Sequence, residues 1–169
     1  KIICIIPVRG GSKSIKNKNI ISFRGKPLVV NGLLQAIKSN LFEKIVVASD
    51  NTKYFNVIKK YTNSKKIIFF KRSKKSSTDY AKTEIVLNEV LHNYQNYRYA
   101  CLVQATSPLI KSQDLKKGFQ KYKRNNYDSI FSCYEKKIFV WKESNKNMYP
   151  LNYNYLNRPM RQKAKKNFI

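Results

Sequence analysis

The stretch most suited to chemistry is Arg9-Gly10-Gly11-Ser12-Lys13, with Lys16, Lys18 and Asn19 close behind, directly after the apolar run Ile2–Ile6. Glycines lack a Cβ, so their backbone N–H groups can approach an anion closely, while arginine and lysine add charge-assisted hydrogen bonds to its oxygens. That chemistry suits a phosphate. Two familiar phosphate loops fail on spacing: Gly11 is followed at once by Ser12-Lys13, against G-x-x-x-x-G-K-[ST], and G-x-G-x-x-G is also absent. Three further polar stretches follow apolar runs, namely Ser49-Asp50, Arg72–Thr83 (RSKKSSTDYAKT) and Gln104–Pro108 (QATSP). Together they offer hydroxyls and cations but few carboxylates, which describes a site for a large anion. Asp50 is expected to cap the helix after it, and Asp79 to shape its loop. The single histidine, His92, reads as a helix-surface residue, so no Ser-His-Asp or Cys-His set is proposed.

The elements that must hold these loops alternate along the chain. Short apolar runs at 2–6, 44–48, 67–70, 99–103 and 129–134 read as strands. Between them, helical periodicity predicts helices over Leu28–Ser39, around Tyr54–Tyr61, over Thr83–Tyr94, and from Ser112 past Tyr122, with Ser112 as a cap. Near-continuous apolar strands alternating with helices imply a parallel sheet covered on both faces. The expected fold class is therefore α/β: a three-layer, doubly wound, Rossmann-like sandwich whose ligands bind beyond the carboxyl ends of the strands.

Composition bounds the alternatives. Lys and Arg number 35 against 9 Asp and Glu, a formal charge of +26. Such a charge raises a polyanion or nucleic-acid binder as a competing reading. The lysines are scattered, however, among equally abundant Asn, Ile and Tyr, a general compositional bias rather than one basic face. The first apolar run is too short for a signal peptide core or a membrane span. The three cysteines, Cys4, Cys101 and Cys133, all sit in strand-like runs and lack zinc or disulfide spacing. Reduced, buried thiols in a cytoplasmic protein without membrane contact are expected.

The motifs themselves carry a resemblance. IIPVRGGSKSIKNKNI resembles the signature I-P-A-R-G-G-S-K-G-I-P-x-K-N of the acylneuraminate cytidylyltransferases, the synthetases of CMP-sialic acid and its bacterial relatives. In order, RSKKSSTDYAKT is similar to that family's R-P-x-x-x-x-x-D-x-A-x-S/T, and QATSPL to its Q-P-T-S-P-L. Val8, Ser14, Lys16, Ser73 and Ala105 depart from the pattern without removing a polar group. The resemblance implies a nucleotidyltransferase that transfers CMP from CTP to the anomeric hydroxyl of a nine-carbon sugar acid, releasing pyrophosphate. It casts Arg9, Lys13 and Lys18 as the catalytic cations at the triphosphate. Arg9, Gly10, Gly11, Ser12, Asn19, Arg72, Ala81 and Thr83 become the nucleotide-binding set. Gln104, with Arg161 and Gln162 of the RPMRQ segment, would face the sugar acid.

The same resemblance implies Mg²⁺ as cofactor, with its acidic I-D-x-D ligands beyond residue 169, so no metal ligand is expected within the chain. Residues 1–135 then form the nucleotide-binding core, and 136–169 begin a small dimerisation and sugar-binding extension. Phe139, Trp141, Tyr149 and Tyr153 would be anchors of a homodimer in the full-length protein. A C-terminally truncated member would bind nucleotide with little or no turnover. The competing readings are such an inactive homologue, and an octulosonate-type enzyme, whose acidic Q-G-D-E-P stands where this chain has QATSP. Which sugar acid is used is not legible in these residues.

Overall fold

Ile2–Val8 alternates its side chains between two apolar layers, and the rest of the fold grows from that strand. The computed structural model describes residues 1–11, 15–163 and 167–168, without the side chains of Arg161, Asn167 and Phe168. Four parallel strands form the central sheet: β1 (Ile2–Val8), β2 (Lys44–Ser49), β3 (Ile67–Lys71) and β4 (Tyr99–Leu102), in the order β3-β2-β1-β4. On one face Cys4, Ile6 and Val8 pack with Val29, Val30 and Leu33 of α1 (Leu28–Ser39) and with Tyr54 and Ile58 of α2 (Thr52–Lys59). On the other, Ile3, Ile5, Val46 and Ala48 pack with Val86 and Val90. Those two valines belong to α4 (Thr83–Asn93), which follows the short α3 (Lys74–Ser77). Both layers are apolar, and each fully buried aliphatic side chain contributes about 1.5–3 kcal/mol of transfer free energy. The three-layer α/β sandwich expected from the alternation is thus the one observed. Its strand order, with the switch between β1 and β4, is that of a doubly wound sheet.

Local chemistry sets the element ends. Pro27 is the N-cap of α1 in an extended conformation (φ −54°, ψ 141°), its missing N–H costing nothing there. Asn40 closes α1 in the left-handed region (φ 52°) that asparagine tolerates. Asn51, not Asp50, caps α2, accepting a hydrogen bond from Lys53 N–H at 2.9 Å. At α5 (Ser112–Arg124) the expected Ser112 cap is likewise displaced. Lys111 holds the cap position, and the Asp114 carboxylate accepts from its N–H at 2.9 Å. Phe119 and Tyr122 of α5 then stack edge-on against Tyr99 of β4, with centroids 5.4 and 5.7 Å away.

The chain divides into two compact units, Lys1–Asn125 and Asn126–Ile169. Within the second, β5 (Trp141–Ser144) and β6 (Asn147–Pro150) form an antiparallel hairpin, and Glu135–Lys136 pairs with Asn167–Phe168. The expected fifth strand at 129–134 does not form. Its residues have no regular structure and are exposed, Phe131 to 83%. The expectation of three buried thiols fails with it, since Cys133 is exposed while Cys4 is buried and Cys101 half-buried. No described helix is long and apolar enough to cross a membrane.

Candidate functional site

Register explains why residues far apart in sequence meet. Val8, Ser49 and Lys71 occupy one row across β1, β2 and β3. Their successors Arg9, Asp50 and Arg72 therefore leave the sheet side by side, with one carboxylate between two guanidinium groups. Arg72 is almost fully buried (8% exposed), its N–H donates to Ser49 O at 3.0 Å, and its Nε has no hydrogen-bond partner. Burial, first, weakens its hold on the proton relative to a free arginine, and Arg9's charge adds to this; Asp50 and Glu89 oppose it. A buried cation with an orphan donor is what an incoming anion would satisfy.

The loop after β1 is pinned from several sides. Gly10 N–H donates to Asp50 Oδ1 at 2.8 Å, and the buried Tyr54 hydroxyl donates to Gly10 O at 3.3 Å and reaches Asn17 Oδ1 at 3.4 Å. Burial, then the charge of Asp50, pushes the Tyr54 phenol up from its ordinary value, keeping it a donor. Asn19, also buried, donates to Arg9 O at 2.9 Å. Arg9 Nη1 donates to Asp79 Oδ1 at 2.6 Å and to Thr78 O at 2.9 Å, tying this loop to the one after β3. Gly10 therefore serves a different purpose from the one its type suggests. Its N–H is already taken, and a Cβ there would stand 3.3 Å from Asn51 Cβ and 3.4 Å from Tyr54 Cε2, so the glycine lets the loop seat on α2. Gly11 has open space around it.

These loops enclose a cavity of about 240 Å³ at the carboxyl ends of the strands. Arg9, Lys18 and Asn19 line it from the first loop, Arg72, Asp79, Ala81 and Thr83 from the loop after β3, and Gln104 from the loop after β4. Pockets enclosing a whole small ligand measure roughly 300–1,000 Å³, so this one has room for only part of a ligand of that size. Seven residues singled out from the motifs thus meet in one place. Ser12 and Lys13 lie outside the described residues, as does the Arg161 side chain; Gln162 is exposed in the second unit. A larger cavity of about 520 Å³ lies within that unit, lined by Asn152, Tyr153, Asn157, Lys163 and Pro159 of the RPMRQ segment.

Three participants escaped the sequence reading: Asp50 as acceptor for Gly10, Tyr54 as a hydroxyl under the loop, and Asp79 as counterion of Arg9. Helical periodicity assigns Tyr54 to an apolar face and says nothing of its hydroxyl. The Asp50 contact needs the strand register, which no local pattern supplies. Among the described residues, no three His, Cys, Asp or Glu side chains gather to hold a metal ion. The two carboxylates beside the cleft are engaged by Gly10 and Arg9.

Comparison with known proteins agrees with this geometry. The chain is 35% identical over 139 residues to a pseudaminic acid cytidylyltransferase of Campylobacter jejuni, covering 80% of the chain and 59% of that protein. It is 34% identical over 137 residues to an N-acylneuraminate cytidylyltransferase of Streptococcus agalactiae, covering 80% of the chain and 32% of that protein. The chain therefore spans less than two thirds of either relative. Among solved structures, a CMP:2-keto-3-deoxy-manno-octonic acid synthetase complexed with CTP shares the fold, with a TM-score of 0.59 and 20% identity over 75% of this chain and 48% of that one. Residues 3–167 match the family described as cytidylyltransferase, and the chain belongs to that family.

Proposed function

We propose that the cleft binds CTP and that the protein transfers its CMP moiety to the anomeric hydroxyl of a nonulosonic sugar acid. In the step, an anomeric O–P bond forms at the α-phosphorus as the bond to the pyrophosphate oxygen breaks, and the hydroxyl proton passes to water. The observation that carries this reading is the meeting of Arg9, Lys18, Asn19, Arg72, Ala81, Thr83 and Gln104 around one cavity. Such a displacement requires alignment and charge neutralisation more than a protein nucleophile. Lys18 and Arg72 would neutralise phosphate oxygens, and Arg9 would join them once released from Asp79. Asn19, Ala81 and Thr83 would contact the nucleoside, and Gln104 the sugar acid. The names of the relatives point to pseudaminic or N-acylneuraminic acid as the acceptor class.

Mg²⁺ would supply further charge neutralisation to the phosphates in this reading, yet the described carboxylates at the cleft do not fit it. Asp50 and Asp79 already hold Gly10 and Arg9, so no step is routed through a cation here. Trp141 and Tyr149, 43% and 50% exposed, remain available as homodimer anchors, whereas Phe139 and Tyr153 pack against each other at a tilt, with centroids 4.5 Å apart. With CTP as donor, the reading places the protein in the cytoplasm. Pyrophosphate release from CTP, assayed on the full gene product with a panel of nine-carbon sugar acids, tests the reaction. Release with at least one of them is expected; release with none, or equal release from ATP, would overturn it.

A further inference from the structure

The row that emerges from the sheet carries alternating charge: Arg72, then Asp50, then Arg9, with Asp79 beyond it on the loop after β3. An empty anion site faces a difficulty of its own making, because cations gathered for a ligand repel one another while the ligand is absent. Burial first, and Arg9 after it, disfavour the charged form of Arg72, against Asp50 and Glu89. Asp50 serves the inner part of the row, but it is occupied by Gly10 N–H. Arg9 finds its own counterion in Asp79, at 2.6 Å, and the same Nη1 is shared with Thr78 O.

The Arg9–Asp79 pair differs from the interior of the site in being easy to break. The two side chains are 27% and 35% exposed, at the rim of the cavity they both line. An ion pair with that much access to water holds weakly. Asp79 also sits in a turn outside any helix or strand, closed by Ala81 N–H donating to Thr78 O at 3.2 Å, next to a Tyr80 that is 93% exposed. A phosphate carries more charge than a carboxylate and can engage Arg9 and the orphan Nε of Arg72 together.

We propose that Asp79 is an internal stand-in for phosphate: it neutralises Arg9 in the empty site and is exchanged for a phosphate oxygen when a polyphosphate enters. Asp79 thereby sets a threshold. Ligands with several phosphoryl charges displace it readily, and a monophosphate does so poorly, which favours departure of a CMP-bearing product. The arrangement stabilises the empty site at the expense of affinity.

This inference rests on the cleft being a nucleotide site, so the experiment reads the two separately. Inorganic tripolyphosphate, CTP and CMP are titrated calorimetrically into the chain without divalent cations, for the parent, D79N, D79E and R9A, and for the R9A/D79N double variant. The expected result is that D79N binds tripolyphosphate and CTP about three- to tenfold more tightly than the parent, with a larger relative gain for CMP, and melts at a lower temperature. D79E, which keeps the charge, stays near the parent, and D79N gives no gain once Arg9 is gone. Tighter binding with lower stability separates the exchange from a purely structural role, in which both would fall together. D79N affinity equal to or weaker than the parent's overturns the inference while leaving CTP binding intact. Failure of both parent and D79N to bind CTP overturns the nucleotide reading itself.

Discussion

Two runs that read as strands meet opposite fates in this chain. Ile2–Val8 becomes the strand at the centre of the fold, with Ile3, Cys4, Ile5, Ile6 and Val8 fully buried. Ser129–Tyr134, in which Ile130, Phe131, Cys133 and Tyr134 share the run with two serines, has no regular structure and leaves Ile130, Phe131 and Tyr134 exposed. The first has a strand on each side and a helical layer on each face. The second has neither. An apolar run thus specifies a strand only where backbone groups and both side-chain faces find partners.

Thiol chemistry gives the widest expected separation, because each run contains one cysteine. Burial, assisted by the nearby Cys101, pushes the Cys4 thiol well above its ordinary value, and burial pushes Cys101 up to about 11. Alkylation follows the thiolate and its access. At pH 8 Cys133 should therefore react at least about a hundredfold faster than Cys4 or Cys101, as read by mass spectrometry of iodoacetamide-labelled peptides. The same shifts fix the sign of a stability change. A thiol whose folded pKa is raised contributes fully below its unfolded value near 9.0, and that contribution erodes as pH rises toward about 11. Equal labelling of all three thiols would erase the contrast between the runs.

Stability measurements sharpen it next. Ile5→Ala removes a fully buried side chain between β2 and β4 and should cost about 2–5 kcal/mol by urea unfolding. Asp50→Ala, which strips the acceptor from Gly10 N–H and a neighbouring charge from Arg72, should cost about 1.5–3 kcal/mol. Asp50→Asn, keeping an oxygen in place, should cost less. Phe131→Ala lies at the other extreme, with an expected change within about 0.5 kcal/mol. A loss at Phe131 comparable to that at Ile5 would mean the 129–134 run is packed after all.

Much of the first unit was legible because its signals are local and agree with one another. Apolar runs ending in Gly, Asp or Gln, alternating with amphipathic periods, gave the four paired strands and the helices between them. The loops at their carboxyl ends followed from parallel topology, and with them the meeting of Arg9, Asn19, Arg72, Thr83 and Gln104. What stayed hidden depends on partners distant in sequence. Asp50 looked like a helix cap because nothing local reveals that Gly10 N–H stands beside it, leaving Asn51 to cap α2. Gly10 looked like a phosphate contact, whereas its missing Cβ is needed against Asn51 and Tyr54. The hairpin β5–β6 was missed because its residues are almost all exposed and polar residues interrupt any apolar alternation.

Arg72 is the buried cation that strand register sets in the cleft, and in the proposed function it meets a nucleotide phosphate. Titration of CTP into the parent chain and into R72A, followed by calorimetry, tests it directly. The account predicts measurable CTP binding by the parent and a loss of about 1.5–3 kcal/mol in R72A, roughly ten- to hundredfold in affinity, with the variant still folded. CTP binding of equal strength in a folded R72A would contradict it.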